Sequence, residues 1–240
     1  MMELIWAKLP QLLDGAWLTV QISAIAIAAG LGLAVPLAML RVSRRRLLSW
    51  PIYAFTFFFR GTPLLVQLFL IYYGSGQFRD TLAAAGLWGL FSQAFFCGAL
   101  TLSLNTAAYM TEIMRGAIQG VPAGEIEAAR ACGMRGALLY RRIILPKAFR
   151  IAWPAYINEI VFLIQATSLV SIITLVDLTG AAQAVATRNY AFYEMYLAAA
   201  AMYLVMIYSV LMICKRVEHR LTAHVGGSRR RRRFGLETRG

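Results

Sequence analysis

The fold class this sequence predicts is all-α: a polytopic membrane protein with five transmembrane helices. Three observations predict it. Of the 240 residues 60% are hydrophobic and only 15% are charged, below the charged share of an ordinary soluble domain. The apolar residues come in runs of about twenty, the length that crosses ~30 Å of hydrocarbon. The basic residues gather between those runs, so the net charge of +13 marks one side of a membrane rather than a face for nucleic acid.

The elements follow in order. Residues 1–14 form a short amphipathic extracytoplasmic segment, and Trp6 and Trp17 are interfacial anchors. No basic stretch leads into an apolar run with a cleavage site, so no removable signal peptide is expected. The first span covers 15–40, where Ala24, Ala28 and Gly32, with Ala26 and Gly30, set small residues four apart for close helix packing. Arg41, Arg44, Arg45 and Arg46 end it. The second span, 51–73, contains Arg60, Gly61 and Pro63, and a short loop at 74–89 carries Arg79 and Asp80. The third span, 90–115, holds Asn105, Tyr109 and Glu112. A fourth span at 154–176, a polar connection at 177–192 and a fifth span at 193–214 complete a transmembrane domain of 15–221. The remainder, 222–240, is a basic tail whose five arginines at 229–233 suit solvent and anionic headgroups.

Charge sets the orientation. The turn 41–46 has four Arg, the region 115–150 has six Arg and one Lys, and the chain from Lys215 onward has eight Arg and one Lys. The opposite side has Lys8, Arg79 and Arg188. Positive residues stay cytoplasmic, which predicts an N-terminus outside and a C-terminus inside, in a multi-pass protein of the bacterial inner membrane. Cys97, Cys132 and Cys214 are far apart and lack ligand spacing, which excludes a disulfide framework and a metal motif.

The stretch 121–146 is the longest polar interval between apolar regions, yet it reads as folded. Pro122 suits a first helical turn, and Glu125 and Glu127 favour the positive end of the helix dipole. Ala128, Ala129, Ala131 and Cys132 give a small-residue surface, and Gly133 is a C-terminal stop. A second helical run, 137–144, carries Arg141 and Arg142 and ends at Pro146. A folded helix–turn–helix with an approachable Ala-rich face suits docking.

Glu127-Ala128-Ala129, then Gly133, Ile143 and Leu145-Pro146, resembles in residue and spacing the EAA loop of ABC-type importer permeases. The resemblance implies a permease fold in which this loop is a cytoplasmic coupling helix, seated in a groove of a separate ATPase. The run from Phe59 through Arg60, Gly61, Thr62, Pro63 and on to Leu68 is similar to the second-span signature of polar amino-acid permeases. Leu104 to Tyr109 with Glu112 resembles their third span, and Pro154 to Glu159 the start of their fourth. The segment Gln165-Ala166-Thr167-Ser168-Leu169 through Asp177-Leu178-Thr179-Gly180 is similar to the permease group for histidine, lysine, arginine, ornithine and opines. The similarity covers roughly 15–221. Many members of the broader family have Lys followed by Asp or Asn where this chain has Gln165 and Ala166, so an acidic substrate group is not expected there. The resemblance implies as partners a second permease (or a copy of this chain), two ATPase subunits and an extracytoplasmic amino-acid-binding protein. It implies no cofactor on this chain, and ATP used by the partner.

No catalytic constellation, metal motif or GxxxxGK[ST] phosphate loop is present, so this chain reads as a transport subunit and not an enzyme. Arg60 lies about nine residues into its span, roughly 13 Å deep, where an Arg is paired or faces a cavity. Glu112 at comparable depth is the expected partner, in a pair that is structural, against the alternative that each side chain snorkels separately to the interface. In the fourth span Gln165, Thr167, Ser168 and Ser171 put polarity at mid-membrane, and Gln165, Ser168 and Ser171 can share a face by i, i+3, i+6 spacing. These residues, with Gln67 and Asn105, are the candidate substrate path, against the alternative of interhelical hydrogen bonding. The competing function is a self-contained secondary transporter or channel for small polar solutes, which needs mid-membrane coupling-ion carboxylates. Glu112 is its one candidate.

Overall fold

The computed structural model describes residues 2–43 and 45–222, and every regular element among them is a helix. Helix α1 (Met2–Val42) runs unbroken for 41 residues, about 61 Å at 1.5 Å per residue. It passes through the expected boundary at residue 14, so the N-terminal segment is helical and continuous with the first span. Pro10 and Pro36 lie within it, as prolines do in membrane helices whose neighbours supply the missing contacts. Its buried stripe is Leu12, Gly15, Thr19, Ile22, Ala26, Gly30, Ala34 and Ala38. Of the small residues expected to pack, Ala26 and Gly30 do so. Ala24, Ala28 and Gly32 face outward, because a 3.6-residue period admits one of the two parallel stripes and not both.

The stretch expected as one second span is broken. Helix α2 (Arg46–Gly61) and helix α3 (Leu64–Gln77) meet at 105°. Pro63 forces Thr62 out of the helical region, to φ −114° and ψ 146°, and removes the N–H that would have bonded the Phe59 carbonyl. Two side-chain amides replace it. Gln67 Nε2 donates to Phe59 O at 2.8 Å and Asn105 Nδ2 donates to the same oxygen at 3.2 Å. Gln67 Nε2 also reaches Thr62 O and Thr62 Oγ1, while Asn105 Nδ2 donates to Gln67 Oε1 at 2.9 Å.

After α3 come two short helices, α4 (Arg79–Ala84) and α5 (Trp88–Phe91), and then α6 (Ala94–Gln119), which packs against α1, α2, α3 and α9 (Leu145–Ala166). Fifteen residues of α6 are buried, among them Thr101, Ser103, Asn105, Thr106 and Thr111. Covered by protein on most sides, this helix has less need of apolar side chains. Among the described residues three helical stretches are long and apolar enough to cross a membrane, Leu4–Val42, Gly136–Ile173 and Phe192–His219, or four if the bent α2–α3 pair counts as one.

Helix α7 (Ala123–Ala131) is followed by α8 (Gly136–Leu139), a π-helical turn (Tyr140–Ile144), α9 and a 3-10 stretch (Thr167–Ile173). From Gly136 to Ile173 these form one helical stretch of 38 residues. The loop's second helix therefore does not end at Pro146. The wider π turn just before it lets the chain continue where an α-helix would break. Tyr156, fully buried, donates to Met110 O of α6 at 3.2 Å, and Trp153 Nε1 donates to Cys214 O of α11 (Phe192–Thr222) at 3.2 Å.

The expected polar connection 177–192 is mostly a packed helix, α10 (Leu178–Asn189), whose buried face is Leu178, Ala181, Ala182, Val185 and Ala186. Asp177, 0% exposed, caps it, accepting from Gly180 N at 2.9 Å, Thr179 N at 3.3 Å and Tyr203 Oη at 3.1 Å. Burial pushes its carboxyl above the ordinary carboxylate range, and these donors oppose the shift. Thr19 Oγ1 accepts from Leu178 N, so α1, α10 and α11 meet at this cap. The tail at 223–240, with its arginine run, lies outside the described residues.

A methyl group on Gly15 would stand 2.7 Å from Asp177 O and 2.9 Å from Ala181 Cβ, whereas one on Gly32 would meet nothing within 4 Å. Gly15→Ala is expected to lower the thermal midpoint of the purified complex, by a destabilisation on the order of 1–3 kcal/mol. Gly32→Ala is expected to leave it unchanged, and equal midpoints for the two variants would contradict this packing.

Candidate functional site

Thr167, Ser168 and Ser171 fall on the 3-10 stretch, where three residues per turn align i and i+3, and Gln165 on the last turn of α9. Ser168 Oγ donates to Gln165 O and Ser171 Oγ to Ser168 O, both at 2.8 Å, so each hydroxyl keeps its acceptor lone pairs outward. Gln165 is exposed, and Ser168 and Ser171 are half-buried. Thr167 points the other way, fully buried and donating to Ile164 O at 2.7 Å. Ser171 and Thr174 open onto a cleft of about 450 Å³ shared with Gly180, Gln183, Thr187 and Arg188 of α10. Thr174 ends the 3-10 stretch at φ +71°, a costly conformation for a β-branched residue.

Gln67 and Asn105 do come together, but with each other and with the carbonyls of the α2–α3 bend. They are 2% and 9% exposed. Their amides hold the break open and are not free donors on a path.

The expected Arg60–Glu112 pair is not formed. Glu112 Oε2 accepts from Arg115 Nε at 2.6 Å, its Oε1 from Thr56 Oγ1 at 3.1 Å, and Arg41 Nε lies 3.5 Å from Oε1. One carboxylate thus joins α1, α2 and its own helix. Arg115 stands three residues on along α6, a neighbour that depth in the membrane alone does not reveal. Arg60 is exposed, its guanidinium 5.3 Å from the centroid of the Tyr109 ring. The carboxyl its charge acts on is that of Glu159, half-buried on α9. Glu159 flanks the exposed face bearing Asn158, Phe162 and Gln165. Its place in the Pro154–Glu159 run is the sequence signal that could have marked it.

In the loop 121–146 α7 is two-faced. Ala129, at 6% exposure, and Ile126 pack inward, and Ile143 and Leu145 are held in the same apolar cluster. Glu127, Ala128, Ala131 and Cys132 are exposed, as are Gly133 and Pro146. Three of the seven proposed coupling residues, Ala129, Ile143 and Leu145, therefore shape the loop from beneath. Gly133, at φ +82°, ends α7, with Gly133 N donating to Arg130 O at 2.9 Å and Met134 N to Ala129 O at 3.0 Å. That paired closure requires a left-handed residue. Lys147 and Glu125 form an ion pair that ties α7 to the start of α9.

Residues 26–223 match the model of the family described as "binding-protein-dependent transport system inner membrane component". The chain belongs to this family. It is 44% identical to the nopaline transport system permease protein of Agrobacterium fabrum, across 94% of this chain and 95% of that one. It is 48% identical to an octopine transport system permease protein of Rhizobium meliloti, across 84% and 82%. Identity is 42% to the histidine/lysine/arginine/ornithine transport system permease protein of Salmonella typhimurium, across 80% and 82%. The fold is similar to that in a crystal structure of an amino acid ABC transporter with histidines, at a TM-score of 0.79 and 32% identity, covering 90% of this chain and 96% of that one. An inward-facing methionine ABC transporter shares the fold, at a TM-score of 0.71 and 18% identity, covering 88% and 96%. The chain is thus a permease subunit of an ABC importer and not an enzyme; ATP hydrolysis belongs to separate subunits.

Glu112→Gln would leave two guanidiniums without their carboxylate. We expect a loss of about 1–3 kcal/mol, smaller than for a fully buried pair because Arg41 and Arg115 keep 23% and 30% exposure. Arg60→Gln should stay within about 1 kcal/mol of the parent. Thermal midpoints of the two purified variants check the contrast.

Proposed function

We propose that this permease imports basic amino acids or opines. The observation that carries the reading is similarity along nearly the whole chain to permeases named for nopaline, octopine and histidine/lysine/arginine/ornithine transport. Five spans, with α2–α3 counted as one and α6 as another, run from an outside N-terminus to a cytoplasmic C-terminus, in keeping with the charge distribution. A second permease, two ATPases and an extracytoplasmic binding protein complete the importer.

Gln165, Ser168 and Ser171 line the path, and the cleft beside Arg188 is its outer mouth. Arg60 and Glu159 are charges of opposite sign near that face that make no ion pair among the described residues, and a zwitterionic substrate needs both signs. Glu112 is taken up by Arg115 and Arg41, so it is not free to act as the coupling-ion carboxylate that a self-contained transporter would need. The exposed face of α7, built on Glu127, Ala128 and Gly133, meets the ATPase. Closure of the ATPases moves α7, and the continuous helix from Gly136 carries that motion into the fourth span.

Two experiments test this. In proteoliposomes of the whole importer, arginine or octopine uptake is expected to require ATP, and Ser168→Cys is expected to react with a small water-soluble thiol reagent unless substrate is present. Uptake without ATP, or an inert cysteine in every transport state, would count against the path. Gly133→Leu forces a bulky residue to φ > 0 at the end of α7 and is expected to uncouple transport while membrane insertion persists. ATPase co-purification and uptake at parental levels would remove the coupling role.

A further inference from the structure

The N-terminal end of α2 holds a cleft of about 390 Å³ that neither the path nor the coupling loop uses, lined by Arg41, Arg46, Ser49, Trp50 and Tyr53. Its floor is rigid. Arg41 Nη1 donates to Ser49 Oγ at 2.8 Å, Ser49 Oγ donates back to Arg41 O at 2.9 Å, and the guanidinium lies 4.8 Å from the Tyr53 ring centroid. The site carries more positive charge than its surroundings neutralise. Glu112 is shared between Arg41 and Arg115, one carboxylate for two guanidiniums. Arg46 is exposed and forms no ion pair among the described residues. The first turn of α2 has no acidic residue, so its helix dipole adds charge of the same sign.

Beside this basic cleft the outer surface is apolar. Leu47, Trp50, Tyr53 and Phe57 are 90%, 69%, 44% and 66% exposed and lie on one face of α2. From Leu47 to Phe57 the helix rises about 15 Å, half of a ~30 Å hydrocarbon core. A basic cleft continuous with an apolar stripe one leaflet long has the chemistry of a phospholipid.

We propose that this cleft binds the phosphate headgroup of an acidic phospholipid of the cytoplasmic leaflet. Arg46 and the free edge of Arg41 hold the phosphate oxygens, Trp50 lies at the headgroup level, and an acyl chain follows the stripe. A soluble phosphate would find the same guanidiniums but would leave the stripe bare, which is why the lipid is the occupant. The bound headgroup supplies the negative charge that Glu112 cannot, at the junction of α1, α2 and α6. The leaflet rests on the cytoplasmic assignment of turn 41–46 proposed above.

The test uses the intact importer in nanodiscs of phosphatidylcholine with or without phosphatidylglycerol, and native mass spectrometry counts the lipids retained after release into detergent. The parent is expected to retain phosphatidylglycerol in preference to phosphatidylcholine. Arg46→Gln is expected to retain about fivefold less, the effect of one basic side chain at an anionic surface, and Arg46→Lys to recover most of it. Arg46 is exposed and outside the Glu112 network, so these variants are expected to fold. Equal retention by parent and Arg46→Gln would overturn the proposal. So would displacement of the lipid by inorganic phosphate, which would identify a free anion as the ligand. Crosslinking from position 50 to the second permease or the ATPase would do the same by showing a protein interface. Labelling of a cysteine at position 43 from one side of the membrane reports the topology separately, so an error there is distinguishable from failure of the site.

Discussion

The approach of α1 to α6 is the contact on which the rest of the bundle depends. Gly30 sits so close to Thr106 that a methyl group would come within 2.6 Å of its Cγ2, and Ala26, Ala34 and Ala38 continue that small-residue stripe. In lipid, where apolar surface gains little by leaving its surroundings, such closeness is what van der Waals packing needs to hold two helices together. With α1 seated, α6 is enclosed, and its threonines, Ser103 and Asn105 lie inside protein. Every other span is then placed against this pair.

Two polar devices set how the second span joins it. Pro63 deprives the Phe59 carbonyl of its donor, and an orphan carbonyl in a membrane protein is strongly unfavourable. Gln67 and Asn105 meet that need, one from the broken helix and one from α6, so the break is also a joint between them. About a turn and a half back along α2 from the bend, Thr56 meets Glu112, which also collects Arg41 and Arg115. The bend and the carboxylate together orient α2, with its aromatic face outward.

The helix that carries the polar face begins directly after the turn that closes α7. The chain turns at Gly133, passes through the π turn and enters the fourth span without a loop. The helical stretch that bears Ser168 and Ser171 therefore begins at Gly136, joined to α7 by the turn at 132–135. The strained Thr174 closes that element where it meets the α10 cap.

The sequence by itself determined the family, the all-helical class, the folded helix of the 121–146 loop with its Gly133 stop, and the polar face at Gln165, Ser168 and Ser171. These rest on hydropathy, local turn chemistry and motif spacing, all written in consecutive residues. Tertiary structure decided what depends on which face of a helix meets another. It chose Ala26 and Gly30 over Ala24 and Ala28, and gave Glu112 to Arg115 and Arg41 while Arg60 went to Tyr109. It also turned Ala129, Ile143 and Leu145 inward. The polar connection became the packed α10 because its apolar residues recur at helical spacing among polar ones, a pattern that gains meaning only when α1 and α11 cover that face. A residue's depth along a span can be counted from the chain, but its partner depends on rotation about the helix axis, which close packing between helices sets.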